Sequence, residues 1–192
     1  MKSKAGKQWV MIEAVLTLAA DHGWDGVTAN RLAKKTRTPL TASATFLDDP
    51  TRLMCMIAEY ITANAHDGYK HDPRNNPREA LFELMMLRFD ILQRHRGGIL
   101  ALHRAARSDP RLLTAMLCAV HAQLAVILKT ARITPPPWAI EAGLGTVYTL
   151  AFCVWRNDGS ADLAPTMAAL DRGLRRAESA ARFMLKQERA NG

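Results

Sequence analysis

Three polar residues interrupt apolar helical stretches: Arg88 between Leu87 and Phe89, His103 after Leu102, and His121 after Val120. A guanidinium or imidazole set into an apolar wall can anchor the carboxylate or carbonyl oxygen of an apolar ligand. The walls would be Met85, Met86, Phe89, Met116 and Leu117, so Arg88, Met85, Phe89, His103, Met116 and His121 form a candidate effector-binding set. Plainer readings stand beside this one. Each histidine can be a hydrogen-bonded core or rim residue, Arg88 a surface residue whose stem lies along apolar neighbours, and the methionines core filling. Cys118 and His121, one helical turn apart, supply two metal ligands where zinc habitually takes four, so no metal site is assigned. No nucleophile and base share a recognisable setting, no glycine loop follows a strand, and no paired carboxylates occur in a cleft-like context. No catalytic residue and no cofactor are assigned, and an enzyme is not expected.

A second set could contact phosphates and base edges: Thr28, Arg37, Thr38, Thr41 and Thr45. The segment carrying them reads as three short helices closed by a fourth. Ile12, Val15, Leu16, Ala19 and Ala20 stripe a helix from Gln8 to His22, stopped by Gly23. Thr28 is the N-cap of a two-turn helix from Ala29 to Lys35 that needs only Leu32 and Ala33 as its apolar pair. Thr36-Arg37-Thr38 makes a tight connection, Pro39 opens the next helix, and Leu40, Ala44 and Leu47 follow at i, i+4 and i+7. Two short helices joined by such a turn make a helix-turn-helix, whose second member can lie in the major groove of duplex DNA. Asp48-Asp49-Pro50 then caps a longer helix from Arg52 to Ala65 that links head to body.

Ile12-Glu13-Ala14 with Leu16 to Leu18, His22-Gly23-Trp24, Val27-Thr28, Leu32-Ala33, Phe46-Leu47 and Leu53 together resemble the N-terminal domain of the tetracycline-repressor (TetR-type) regulators. The resemblance implies a dimeric transcriptional regulator with an effector-binding body. Against the family pattern, Arg37-Thr38-Pro39 replaces a glycine turn and Ser43-Ala44 replaces a Leu-Tyr pair. Leu47 stands where a Phe falls, and Pro50 where a phosphate-contacting Lys falls.

The net charge of +8 and a pI near 9.8 suit a polyanionic partner. The excess is not concentrated in the head, however, where residues 1–50 hold seven basic against five acidic side chains. Hydrophobic residues at 48% and charged residues at 23% are ordinary for a soluble globular chain. Cys55, Cys118 and Cys153, odd in number and singly placed in apolar helices, read as buried free thiols of a cytoplasmic protein. Glu13 and the helical period of the first segment are unlike an export signal.

Gly68 to Pro77 is the one strongly polar break. After it, Arg78 to His95 is apolar nearly all round, as a central helix is. Gly97-Gly98 breaks the chain, Ile99 to Arg107 is a short helix, and Asp109-Pro110 starts another. Trp138 to Trp155 holds one charge, Glu141, and is too short and glycine-rich for a membrane span of roughly 20 residues, so it reads as a helix buried on both sides. In the last helix Leu163, Met167, Leu170, Leu174, Ala177 and Ala181 alternate by four and three, a heptad seam through which two copies could meet as a four-helix interface.

The tail carries a second resemblance. Thr146-Val147-Tyr148-Thr149, Trp155 to Asp158 and Thr166 to Arg172 are similar to the C-terminal domain of TetR-fold lipid-binding proteins that assist ubiquinone biosynthesis. That likeness implies an alternative, a lipid- or quinone-binding accessory protein without DNA activity. The expectation is thus an all-α chain of about nine helices: a helix-turn-helix head over 1–53 and a ligand-binding, dimerising bundle over 54–192. Its expected partners are duplex DNA, a small apolar or acidic effector or lipid, and a second copy of itself.

Overall fold

The computed structural model describes the backbone of residues 2–70, 72, 76–133 and 139–190, with the side-chain surroundings of residues 2–5, 139–142 and 181–190 outside the description. Among these residues the regular elements are all helical. The helices are α1 (Lys2–His22), α2 (Ala29–Thr36), α3 (Leu40–Leu47), α4 (Pro50–Gly68), α5 (Pro77–Arg94), α6 (Arg96–Ser108), α7 (Pro110–Thr130), α8 (Ala139–Trp155) and α9 (Ala164–Ala190), with a 3-10 turn at Trp24–Gly26. Their starts follow from local chemistry. Asp49 Oδ1 accepts from the Arg52 amide at 3.1 Å, and Asp109 Oδ1 accepts from the Arg111 amide at 2.9 Å. Asn76 and Glu79 form a reciprocal capping box at the head of α5, each side chain accepting from the other's amide at 3.0 and 3.1 Å.

The chain groups into two units that do not follow a simple division after residue 53. One comprises residues 1–67 with 90–123, the other 68–89 with 124–192. The first crossing falls at the polar break that begins with Gly68.

In the first unit α1 packs along α6, and α2 against α1 and α3. The Gly97-Gly98 pair is not a break: the turn falls at His95, and both glycines lie in the first turns of α6. They are where α6 meets α1, since a Cβ on Gly98 would stand 2.2 Å from the carbonyl oxygen of Leu16 and one on Gly97 2.9 Å from Ala20 Cβ. A hydrogen-bonded node fixes α4 to the same contact. The Tyr60 hydroxyl donates to Glu13 of α1 at 2.7 Å and lies 3.1 Å from Nε2 of His95, while the Trp9 and Tyr60 rings meet in a T-shaped pair. Because the phenol's one proton goes to Glu13, His95 must donate from Nε2. Burial holds the His95 pKa below its usual value and raises that of Tyr60.

In the second unit α8 and α9 form the main pair, drawn close where Gly173 faces Val147. Arg78 of α5 bridges to Asp171 at 2.9 Å and to Glu178 at 3.6 Å on α9. Asp158 organises the α8–α9 connection. Oδ1 accepts from the amide and hydroxyl of Ser160 at 3.0 and 2.5 Å, and Oδ2 from the amide and hydroxyl of Thr166 at 3.1 and 2.6 Å.

Several expectations are corrected. The cysteines are not buried: Cys55, Cys118 and Cys153 are all exposed, each on the outward side of a helix whose other face makes the core. The helix expected to be buried on both sides, α8, buries Leu144, Val147, Tyr148, Ala151 and Trp155 but exposes Thr146, Thr149, Leu150 and Cys153. Among the described residues one helix, α7, is long and apolar enough to cross a membrane, and 33% of its apolar window is buried within the chain.

Candidate functional site

The α2–turn–α3 pair is built by hydroxyl chemistry. Thr28 caps α2, its Oγ1 accepting from the Arg31 amide at 3.4 Å, and Arg31 Nη1 donates to the Gly26 carbonyl at 3.0 Å. At the far end Arg37 adopts the left-handed conformation (φ 55, ψ 39), the place a glycine would take at a helix C-terminus, and its amide bonds the Ala33 carbonyl. A chain of hydroxyls then sets the angle between the helices. Thr36 Oγ1 donates to the Leu32 carbonyl at 2.8 Å and lies 2.8 Å from Thr38 Oγ1, which lies 2.9 Å from Ser43 Oγ. Each hydroxyl has one proton, so the direction is fixed: Ser43 donates to Thr38, Thr38 to Thr36, Thr36 to the backbone. Ser43 is fully buried, and this chain is what satisfies it.

The buried face of α3 is therefore Ser43 with Phe46, not the Leu40–Ala44–Leu47 stripe that periodicity picks out. Leu40 is 51% exposed and Ala44 is exposed, while Leu47 is half-buried. Thr28, Arg37, Thr41 and Thr45 are exposed and Thr38 half-buried. Two of the expected phosphate donors are already committed: Thr38 gives its proton to Thr36, and Thr45 gives its own to the Thr41 carbonyl at 3.0 Å. Sequence reasoning missed this ladder, although the Thr36, Thr38 and Ser43 hydroxyls at spacings of two and five were its signal. Exposed cations gather at α2, with Arg31, Lys34, Lys35 and Arg37, whereas Asp48 and Asp49 stand exposed beyond α3.

Of the candidate effector residues, Met85, Arg88 and Phe89 lie together in the second unit, while His103, Met116 and His121 belong to the first. His121 is exposed, on the outward side of α7 one turn after the 51% exposed Leu117, and so does not line an interior wall; His103 and Met116 are half-buried. Arg88 is not a surface residue. It is 1% exposed, its Nε donates to the Tyr148 hydroxyl at 3.4 Å, and its guanidinium carbon lies 5.4 Å from the centre of the Tyr148 ring. Phe89 stacks on Tyr148 at 5.6 Å and leans on Trp155 at 6.4 Å, and Phe152 meets both Tyr148 and Trp155 at 6.4 and 5.2 Å. Ring faces and a phenol oxygen replace part of what a buried guanidinium loses with water. The sequence singles out Arg88 but not Tyr148, whose signal was a polar-tipped aromatic in the middle of an otherwise apolar helix.

The expected dimer seam also changes character. Leu163, Leu170 and Leu174 are covered within the chain, Ala177 is half-buried, Met167 is exposed, and the side-chain surroundings of Ala181 lie outside the described residues. Leu170 and Leu174 lie on α9, which packs on α8 of its own chain, and Leu163 lies in the connection just before α9. Among the described residues no three His, Cys, Asp or Glu side chains gather as metal ligands.

Two short helices joined by a tight turn and packed on α1 make a helix-turn-helix arrangement, with the outer face of the second short helix exposed. A search of the solved structures returns a TetR transcriptional regulator from Rhodococcus sp. RHA1, matched with a TM-score of 0.64 and 17% sequence identity over 92% of this chain and 97% of that one. The chain has the TetR-type fold. No family model and no curated protein matches it.

Proposed function

We propose that this chain is a TetR-type DNA-binding transcriptional regulator, cytoplasmic and homodimeric, whose body binds a small apolar or acidic effector. The observation that carries the reading is the α2–turn–α3 pair: a hydroxyl ladder locks the two helices while the outer face of α3 is left exposed beside a group of exposed cations. Lys34, Lys35 and Arg37, with the hydroxyls of Thr28 and Thr41, would hold phosphates, contacts that position without specifying sequence. Thr38 and Thr45 act in this reading by shaping the turn and α3. In the body, Arg88 with Tyr148, among Met85 and Phe89, is the proposed seat for the oxygen of an effector. No catalytic role is proposed.

The decisive experiment uses Arg37→Gly. Glycine suits the left-handed turn, so the head stays folded while one cation is lost. Retention of genomic duplex fragments measured across a salt series is expected to weaken, with the slope of log K against log salt shallower by about 0.9, the share of one phosphate. Unmodified protein that retains no fragment in a salt-sensitive way would overturn the DNA reading in favour of the lipid- or quinone-binding accessory protein.

A further inference from the structure

The eight residues of α3 read Leu-Thr-Ala-Ser-Ala-Thr-Phe-Leu and carry no charge. With Ser43 and Phe46 turned inward, Leu40, Thr41, Ala42, Ala44 and Thr45 remain outward. Leu40 with Ala44 and Thr41 with Thr45 are i, i+4 pairs, so these four make one patch. Thr45 has committed its hydroxyl proton to the Thr41 carbonyl, so it has no hydrogen-bond donor to offer a base and adds a methyl group to the patch. None of the side chains that read base edges by paired hydrogen bonds, Arg or Lys on guanine and Asn or Gln on adenine, occurs on this helix. The exposed cations stand on α2 and its C-cap, and in the DNA-binding reading they meet phosphates.

The major groove displays a single kind of apolar group, the 5-methyl of thymine. We infer that α3 selects its DNA through thymine methyl groups packed against Leu40, Thr41, Ala44 and Thr45. This rests on the DNA-binding reading and gives that surface its specificity. Cytosine at the same position carries only a hydrogen on C5, so the methyl contact is lost and T·A is preferred over C·G there. From Leu40 to Thr45 the helix rises about 7.5 Å, roughly two base steps, so two or three neighbouring thymines per half-site are expected.

The test selects binding sites from a random-sequence duplex pool with the full-length chain, then rebuilds the selected site with uracil replacing one thymine at a time. Uracil differs only by the missing methyl. Each replacement within the patch is expected to weaken binding about three- to fivefold, the worth of one buried carbon group, with the salt slope unchanged. Leu40→Ala, at a residue exposed in the fold, is expected to erase the uracil penalty at one position and not at the others. Sites built on guanine contacts and indifferent to uracil would overturn this inference while leaving DNA binding standing. Failure to retain any duplex would remove both.

Discussion

Asp158 shows how one side chain can decide a connection. Its carboxylate is buried and accepts two bonds on each oxygen, closing the loop between α8 and α9 where Leu163 is held in a left-handed conformation. Hydrogen bonds from the Ser160 hydroxyl first, then Thr166, hold its pKa well below the usual carboxylate range. The unfolded chain, with an ordinary aspartate near about 3.9, takes up the proton first as pH falls. The bonds therefore contribute fully at neutral pH, and their contribution declines progressively from about pH 5 downward. Asp158→Asn keeps the shape but offers one acceptor oxygen in place of two. Thermal melts are expected to show the variant several degrees below the parent at about pH 7, with the gap narrowing at about pH 3. A gap that does not change with pH would mean that the charge of Asp158 does not matter to the loop.

At the scale of elements, the contact between α1 and α6 depends on a missing side chain. An added methyl at Gly98 would meet the Leu16 carbonyl oxygen at 2.2 Å and its carbon at 2.8 Å, and a backbone cannot move aside as a flexible side chain can. Gly98→Ala is expected to cost about 1–3 kcal/mol in denaturant unfolding, beyond the small gain in helix propensity. Gly143→Ala is the internal control: its methyl would meet nothing within 4 Å, so it is expected to stabilise by about 0.5–1 kcal/mol. Equal effects at the two glycines would show that propensity, not close approach, governs both. The contrast also marks what was legible in the sequence. Helices and their caps could be read because apolar periodicity and the polar residues at Thr28 and Asp49 act locally. The role of Gly97-Gly98 could not, because the same pair that looks like a stop in isolation becomes a docking face when a second helix arrives. Ser43 was hidden for a similar reason: its burial depends on two threonine hydroxyls beyond its own helix. Arg88 could be singled out by type, but its partner Tyr148 lies sixty residues on, beyond the reach of any spacing rule.

For the whole molecule, the proposed dimer must use surface that the chain does not already cover. Leu170 and Leu174, central to the heptad pattern, are 0% and 4% exposed in the single chain. A glutamate at Leu170 would bury an unpaired charge in the chain's own core and would unfold it instead of dissociating a pair. Among the described residues of the α8–α9 pair, the exposed large apolar side chains are Leu150 of α8, 59% exposed, and Met167 of α9, 39% exposed. Leu150→Glu with Met167→Glu is therefore expected to give a folded monomer, with helical content and melting behaviour close to the parent measured at equal concentration. Sedimentation at micromolar concentration checks it, against a parent expected to run as a dimer with an interface of at least about 1,200 Å². The consequence reaches the head, because two reading heads on a palindromic operator bind as one unit, whereas a monomer engages one half-site. The double variant is expected to lose operator binding while each single head keeps its weak, salt-sensitive hold on duplex. A parent that sediments as a monomer, or a double variant that remains dimeric, would show that these two side chains do not hold two copies together.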